Sequence, residues 1–154
     1  MPLTQTEADE LLLMTKEFVE DDPLLYPNSQ PLKYDRELRS VDRREAFSLT
    51  IERGNRNRAR LKYQTRGRAV IVLARIEFFG PAHRNPPDSP YRPNVRLECP
   101  HIHLYREGFD DRIAYAIADV PQLILRDAAN GLSCLEDFLR FCNVSHWPEI
   151  QLSI

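Results

Sequence analysis

Long apolar runs are missing from this chain of 154 residues. No stretch approaches the roughly 18 apolar residues that a membrane-spanning helix needs. Met1-Pro2-Leu3-Thr4 also lacks the basic stretch and following apolar one that open a secretory leader. Neither membrane insertion nor standard secretion is expected. Cysteine is scarce: Cys99, Cys134 and Cys142 are too few and too scattered for a disulfide framework, which suits a reducing cytoplasm. Repeats and low-complexity tracts are missing as well. What is there is globular: 42% hydrophobic and 29% charged residues, in a length that suits one domain over residues 1–154.

Lysine is rare too, so that 18 of the 21 basic residues are arginine. The net charge of −2 hides their distribution. Residues 1–32 hold seven acids and one base, residues 33–75 thirteen bases and five acids, and residues 76–154 seven bases and eleven acids. A guanidinium forks onto phosphate and stacks on bases. Clustering in one third of the chain points to a polyanion such as RNA, or to an acidic protein partner. A general taste for arginine explains the residue type but not the clustering.

Thr4-Gln5-Thr6-Glu7 has the form of a capping box, and Ala8, Leu11, Leu12, Met14, Phe18 and Val19 follow at helical spacing. Asp22-Pro23 ends that pattern, so an N-terminal helix is expected within residues 1–22. A period of two then runs through residues 34–118 and predicts an antiparallel sheet. Its clearest strands carry Phe47, Leu49 and Ile51, then Ala59, Leu61, Tyr63 and Thr65, then the apolar run from Ala69 to Phe79. A proline-rich loop spans 80–97, and a hairpin joins 99–106 to 112–118. Ser133-Cys134-Leu135-Glu136 is a second capping box, opening a helix over 133–143 that stops at Asn143. The expected fold is α+β: a meander of four to six antiparallel strands, an N-terminal helix and a short C-terminal helix. With both helices on one face, the other is spared for a ligand.

His83 lies in the proline-rich loop and His101 and His103 on a strand. Alternation places Cys99, His101, His103 and Tyr105 on one side of that strand and Ile102 and Leu104 on the other. On the apolar strand it puts Arg75 with Ile71, Leu73, Glu77 and Phe79. Three readings follow. In the first, the chain is a toxin-like, metal-independent endoribonuclease of the cytoplasm that needs no cofactor. His101 and His103 share the base and acid roles, Arg75 and His83 stabilise phosphate, Glu77 orients an imidazole, and Tyr105 stacks or donates a proton. Arg56, Arg58, Arg60, Lys62, Arg66 and Arg68 hold the RNA, and an acidic inhibitor or a second copy is a further partner. This build resembles that of compact bacterial ribonuclease toxins. It requires two imidazoles in solvent beside a cationic groove.

In the second reading the same histidines bind zinc or iron. His101-x-His103 followed by Glu107 resembles part of the cupin metal motif, which implies His83 or His146 as the closing ligand. Val95 and Ala114 stand where that motif has glycines, and no second motif follows. In the third reading there is no catalysis: the histidines pack in a wet cleft, the arginine-rich face binds nucleic acid or an acidic protein, and the acidic N-terminal helix shields that face within the chain or across a homodimer. Two phosphodiester motifs are set aside: Tyr105 stands where the histidine triad needs a third histidine. His103 stands where the two-histidine phosphoesterases need Ser or Thr.

Longer segments also look familiar: Arg75-Ile76-Glu77, the run Gly80-Pro81-Ala82-His83-Arg84-Asn85-Pro86, the run from Pro100 to Gly108, and Asp137 to Asn143. Together they resemble a family of small uncharacterised bacterial proteins over roughly residues 40–144. That family has Asp at the position of Glu77 and an Asn-Pro-Asp-Gly turn where this chain reads Asn85-Pro86-Pro87-Asp88. The resemblance implies a bacterial or phage source and brings no activity with it.

Overall fold

The computed structural model describes residues 2–153. Helix α1, Gln5–Leu13, starts as its capping box predicts: Thr4 Oγ1 accepts from the Glu7 N–H at 3.1 Å, and Glu7 Oε1 accepts from the Thr4 N–H at 3.0 Å. It ends nine residues before Asp22, a correction to the expected helix over 1–22. Met14 turns extended, with ψ 134°, and the Lys16 ammonium folds back to donate to the Leu12 and Met14 carbonyls at 2.8 and 2.9 Å. The carbonyls left free at a helix end thus have a partner. Phe18 belongs to a strand, β1 (Lys16–Phe18), where alternate burial replaces the helical stripe.

The remaining strands are β2 (Leu24–Pro27), β3 (Leu32–Ser40), β4 (Ala46–Arg53), β5 (Leu61–Gly67), β6 (Ile71–Phe78), β7 (His83–Arg84), β8 (Arg96–Leu97), β9 (His101–Leu104), β10 (Ala114–Ala116) and β11 (Ile150–Ser153). The main sheet has seven strands in the order β1-β3-β4-β5-β6-β9-β10, every neighbour antiparallel. From β3 onward it is the expected meander; the strand beyond the expected six is β1, in what had read as helix. Strands β2 and β11 pair in parallel as a separate ribbon. The fold is α+β.

Helix α2, Gly131–Phe141, starts two residues earlier than expected. Its cap is Asn130, whose side chain accepts from the Ser133 N–H at 3.1 Å. Ser133 therefore lies inside the helix and is not its cap. Asn143 follows with φ 59°, the left-handed stop that an asparagine tolerates.

The core lies between α2 and the row Ile51, Tyr63, Ile76 and Ile102, which are cross-strand neighbours on β4, β5, β6 and β9. Tyr63 packs on Phe138 of α2 and donates to the Gly131 carbonyl at 2.7 Å. Period-two alternation sends the intervening residues to the other face. There two polar rows cross the sheet, one through Glu52, Lys62, Glu77 and His101 and one through Thr50, Gln64, Arg75 and His103. A β-bulge breaks the pattern once, where Thr65 faces Ala74 but Arg66 faces Val72. Leu73 consequently turns to the core, against Phe47 at Gly67, and not to the Arg75 side that strict alternation predicts. The proline-rich segment carries the β7–β8 ribbon and folds over the histidine end of the polar face.

Candidate metal centre

Strands β6 and β9 set the site. Their register pairs Glu77 with His101 and Arg75 with His103. Glu77 Oε2 stands 3.4 Å from His101 Nε2 and 3.1 Å from His103 Nε2. The ligand atoms of Glu77, His101 and His103 all lie within 4.8 Å of one another. Glu77 is 8% exposed, and His101 and His103 are each 1% exposed.

Backbone carbonyls decide which ring nitrogens carry protons. His101 Nδ1 faces the Glu98 carbonyl at 3.2 Å and His103 Nδ1 faces the Asp111 carbonyl at 2.8 Å. A carbonyl only accepts, so in each ring the proton belongs on Nδ1 and the Nε2 lone pair points inward. A protonated His101 would satisfy both its carbonyl and Glu77. His103 Nε2 is buried and makes no well-formed hydrogen bond, although Glu77 Oε2 stands 3.1 Å away. Burial also pulls the His103 imidazole below its ordinary value, against the pull of Glu77 and with the help of Arg75.

Burial pushes the Glu77 carboxyl up, but contacts from His101, His103 and Arg60 outweigh it and hold the group well below the usual carboxylate range. Arg60 donates to the second oxygen, Oε1, at 2.6 Å. Its stem crosses Gly80, where a Cβ would meet the Arg60 chain at 3.1 Å. Arg75 Nε lies 3.7 Å from Oε2, and its guanidinium is paired with Asp111. The turn residue Asp111 therefore grips both Arg75 and His103.

The fold gathers most of the sequence-predicted residues and leaves some out. The His83 ring sits edge-on to His103, centroids 4.6 Å apart, and 6.2 Å from His101. Cys99 Sγ is 3.8 Å from His101 Nδ1. Tyr105 follows the end of β9 and joins the core, its hydroxyl donating to the Leu3 carbonyl at 2.7 Å. It does not share the histidine pocket. Glu107 is exposed in the turn after β9 and accepts from the Gln5 N–H at 2.8 Å, so the cupin-like carboxylate is outside the site. Glu77 supplies the carboxylate in its place. His146 is at the opposite edge of the sheet, beside a Ser145 bonded to β1.

The premise of two solvent-facing imidazoles is corrected by their burial. Most of the basic residues expected to line the groove are ion-paired. Arg60 pairs with Glu77, Lys62 with Glu52 at 3.5 Å, Arg66 with Asp35 at 3.7 Å and Arg68 with Glu45 at 3.3 Å. Only Arg56 and Arg58 of the six expected RNA contacts are exposed without an ion pair among the described residues. Three acids of the N-terminal segment offset part of the charge of the basic third within the chain, through Glu7–Arg68, Glu17–Arg39 and Asp22–Arg36 at 3.6, 2.9 and 3.3 Å. Among the described residues, no helix is long and apolar enough to cross a membrane.

Glu98, Asp111 and Arg112 reach the histidines through backbone carbonyls. Such contacts leave no side-chain signature, which is why the sequence reading missed them. A family model described as a family of unknown function matches residues 3–144. No curated protein matches the chain, and neither does any solved structure.

Proposed function

The chain belongs to the family of unknown function DUF6978, and from that premise, which carries no activity with it, we propose that it is a metal-binding protein. Glu77, His101 and His103 hold one divalent transition-metal ion of the zinc or ferrous-iron class. Two imidazoles and a carboxylate suit either metal. The observation that carries the reading is the buried His103 Nε2, which makes no well-formed hydrogen bond and lies with His101 Nε2 and Glu77 Oε2 in one cluster of ligand atoms.

Spacing supports it. Donors about 2.1 Å from one ion, at octahedral to tetrahedral angles, stand about 3.0–3.4 Å apart. The two separations to Glu77 are 3.1 and 3.4 Å. Each imidazole has the outer hydrogen bond that fixes a ligating histidine, here to the carbonyls of Glu98 and Asp111. Arg60 does the same for the carboxylate by holding Oε1, which leaves Oε2 for the ion. Asp111 and Glu77 balance Arg75 and Arg60, so the charges around the site sum to zero before an ion enters.

This reading displaces metal-free RNA cleavage because a scissile phosphate has no route to two rings that are each 1% exposed. Elemental analysis tests it. Purified protein should carry about one equivalent of zinc or iron per chain, as three donors for one ion require, and the metal should leave on dialysis against chelator. Protein that carries no transition metal, and takes up none from zinc or ferrous salts, overturns the reading.

A further inference from the structure

Three protein donors leave a metal ion at least one position short of a closed shell. We propose that His83 fills it, so that the ion fastens the proline-rich segment to the sheet in a three-histidine, one-carboxylate centre. This rests on the metal reading above and adds the fourth donor and its consequence.

His83 repeats the pattern of the other two rings. Its Nε2 lies 2.8 Å from the Arg112 carbonyl, which claims the ring proton and leaves Nδ1 as the free lone pair. All three rings are thus oriented by carbonyls of segments flanking β9 and β10, namely Glu98, Asp111 and Arg112. His83 lies outside the trio whose ligand atoms fall within 4.8 Å of one another, so its free nitrogen must move inward to join them.

Ring positions agree with a common ion. An imidazole bound at about 2.1 Å has its ring centre about 3.2 Å from the metal, so two such rings at 90–109° are about 4.5–5.2 Å apart. His101 and His103 are separated by 5.1 Å, and His83 and His103 by 4.6 Å. The 6.2 Å between His83 and His101 is the one long side. A shift of about 1 Å by His83 toward His101 brings it into the same range. His83 lies on β7, a two-residue strand paired only with β8, and its ring is part-exposed. The side chain makes that shift about its own torsions, because Asn85, two residues on, holds the backbone to Ala114 of β10.

Cobalt substitution tests both layers separately. Metal-free protein is loaded with Co²⁺ and its proton spectrum recorded. Each coordinated imidazole retains one N–H, giving one solvent-exchangeable resonance displaced far from the diamagnetic range. We expect three such resonances in the unaltered chain and two in His83→Ala. Cobalt affinity in His83→Ala should fall by more than the roughly 10–100-fold that outer-shell changes cost. Two resonances in the unaltered chain, with His83→Ala binding Co²⁺ unchanged, overturn the fourth ligand and leave the three-donor centre standing. No cobalt bound by the unaltered chain overturns both. Counting resonances in the unaltered chain needs no variant to fold.

Discussion

The side-chain amide of Asn85 pairs with both backbone groups of Ala114, donating to its carbonyl at 3.0 Å and accepting from its N–H at 2.8 Å. One side chain thereby imitates a neighbouring strand along the edge of β10 and anchors the segment that carries His83. Both residues are almost fully buried. Asn85→Ala leaves the two backbone groups unpaired, and each costs about 1–3 kcal/mol. The expected loss of stability is about 2–4 kcal/mol, measured by urea unfolding. A loss below about 0.5 kcal/mol, the size of an ordinary surface change, would show the pairing to be incidental.

Lys16 is the other unusual anchor. Its ammonium is fully buried and donates to Leu12, Met14 and Cys142 carbonyls at 2.8, 2.9 and 2.7 Å, joining the ends of both helices. Burial pulls its pKa from 10.5 to about 8, with Cys142 opposing. That depression corresponds to a burial cost on the order of 3 kcal/mol, while three bonds to a charged group contribute about 1.5–3 kcal/mol each. Lys16→Met leaves three carbonyls without their donor, so it should destabilise by at least about 2 kcal/mol. The folded pKa is below the unfolded one, so the unfolded chain binds the proton more tightly between pH 8 and 10.5. The gap between parent and variant should therefore widen as pH rises through that window. A gap that narrows contradicts the sign.

The thiols should differ in reactivity. Burial pushes Cys142 up to about 12 and Cys134 up to about 11, whereas Cys99 is half-buried and only modestly raised. A thiolate-selective disulfide reagent at pH 8 should titrate at most Cys99 in the folded chain and all three after denaturation. Rapid titration of a second thiol in the folded protein would contradict the packing of α2.

Metal should stabilise the fold by mass action. Free Zn²⁺ at 100 times its dissociation constant adds about 2.7 kcal/mol to unfolding. Followed by thermal unfolding, the rise should be much smaller in Glu77→Gln, since the amide offers the ion no charge and only imidazole donors remain. An equal rise in that variant would place the binding elsewhere.

Much of this was legible in the sequence because the relevant signals are local. Phe47, Leu49 and Ile51 alternate cleanly, and the same period put His101 and His103 on one face and Arg75 and Glu77 on the neighbouring strand's matching face. The Thr4–Glu7 box marked where α1 begins. Its end was misread because Phe18 and Val19 fall at helical spacing by chance, while the group that terminates the helix is Lys16, held by Cys142 far along the chain. Burial of the two imidazoles was hidden for a related reason, since the covering segment is fixed through Asn85 and Ala114, 29 residues apart. The charge blocks and the shielding of one by the other were visible, but the residue pairs were not: Glu17 meets Arg39 only once β1 joins β3. A sequence reports where charges are, and only the fold decides whether they face a partner or each other.

The decisive experiment is a calorimetric titration of Zn²⁺ into metal-free protein and into His103→Ala, side by side. The buried Nε2 of His103 predicts one ion per chain in the parent and binding weaker by more than about 100-fold in the variant, which keeps the other donors. Equal binding by the two proteins, or none by the parent, would contradict the metal centre.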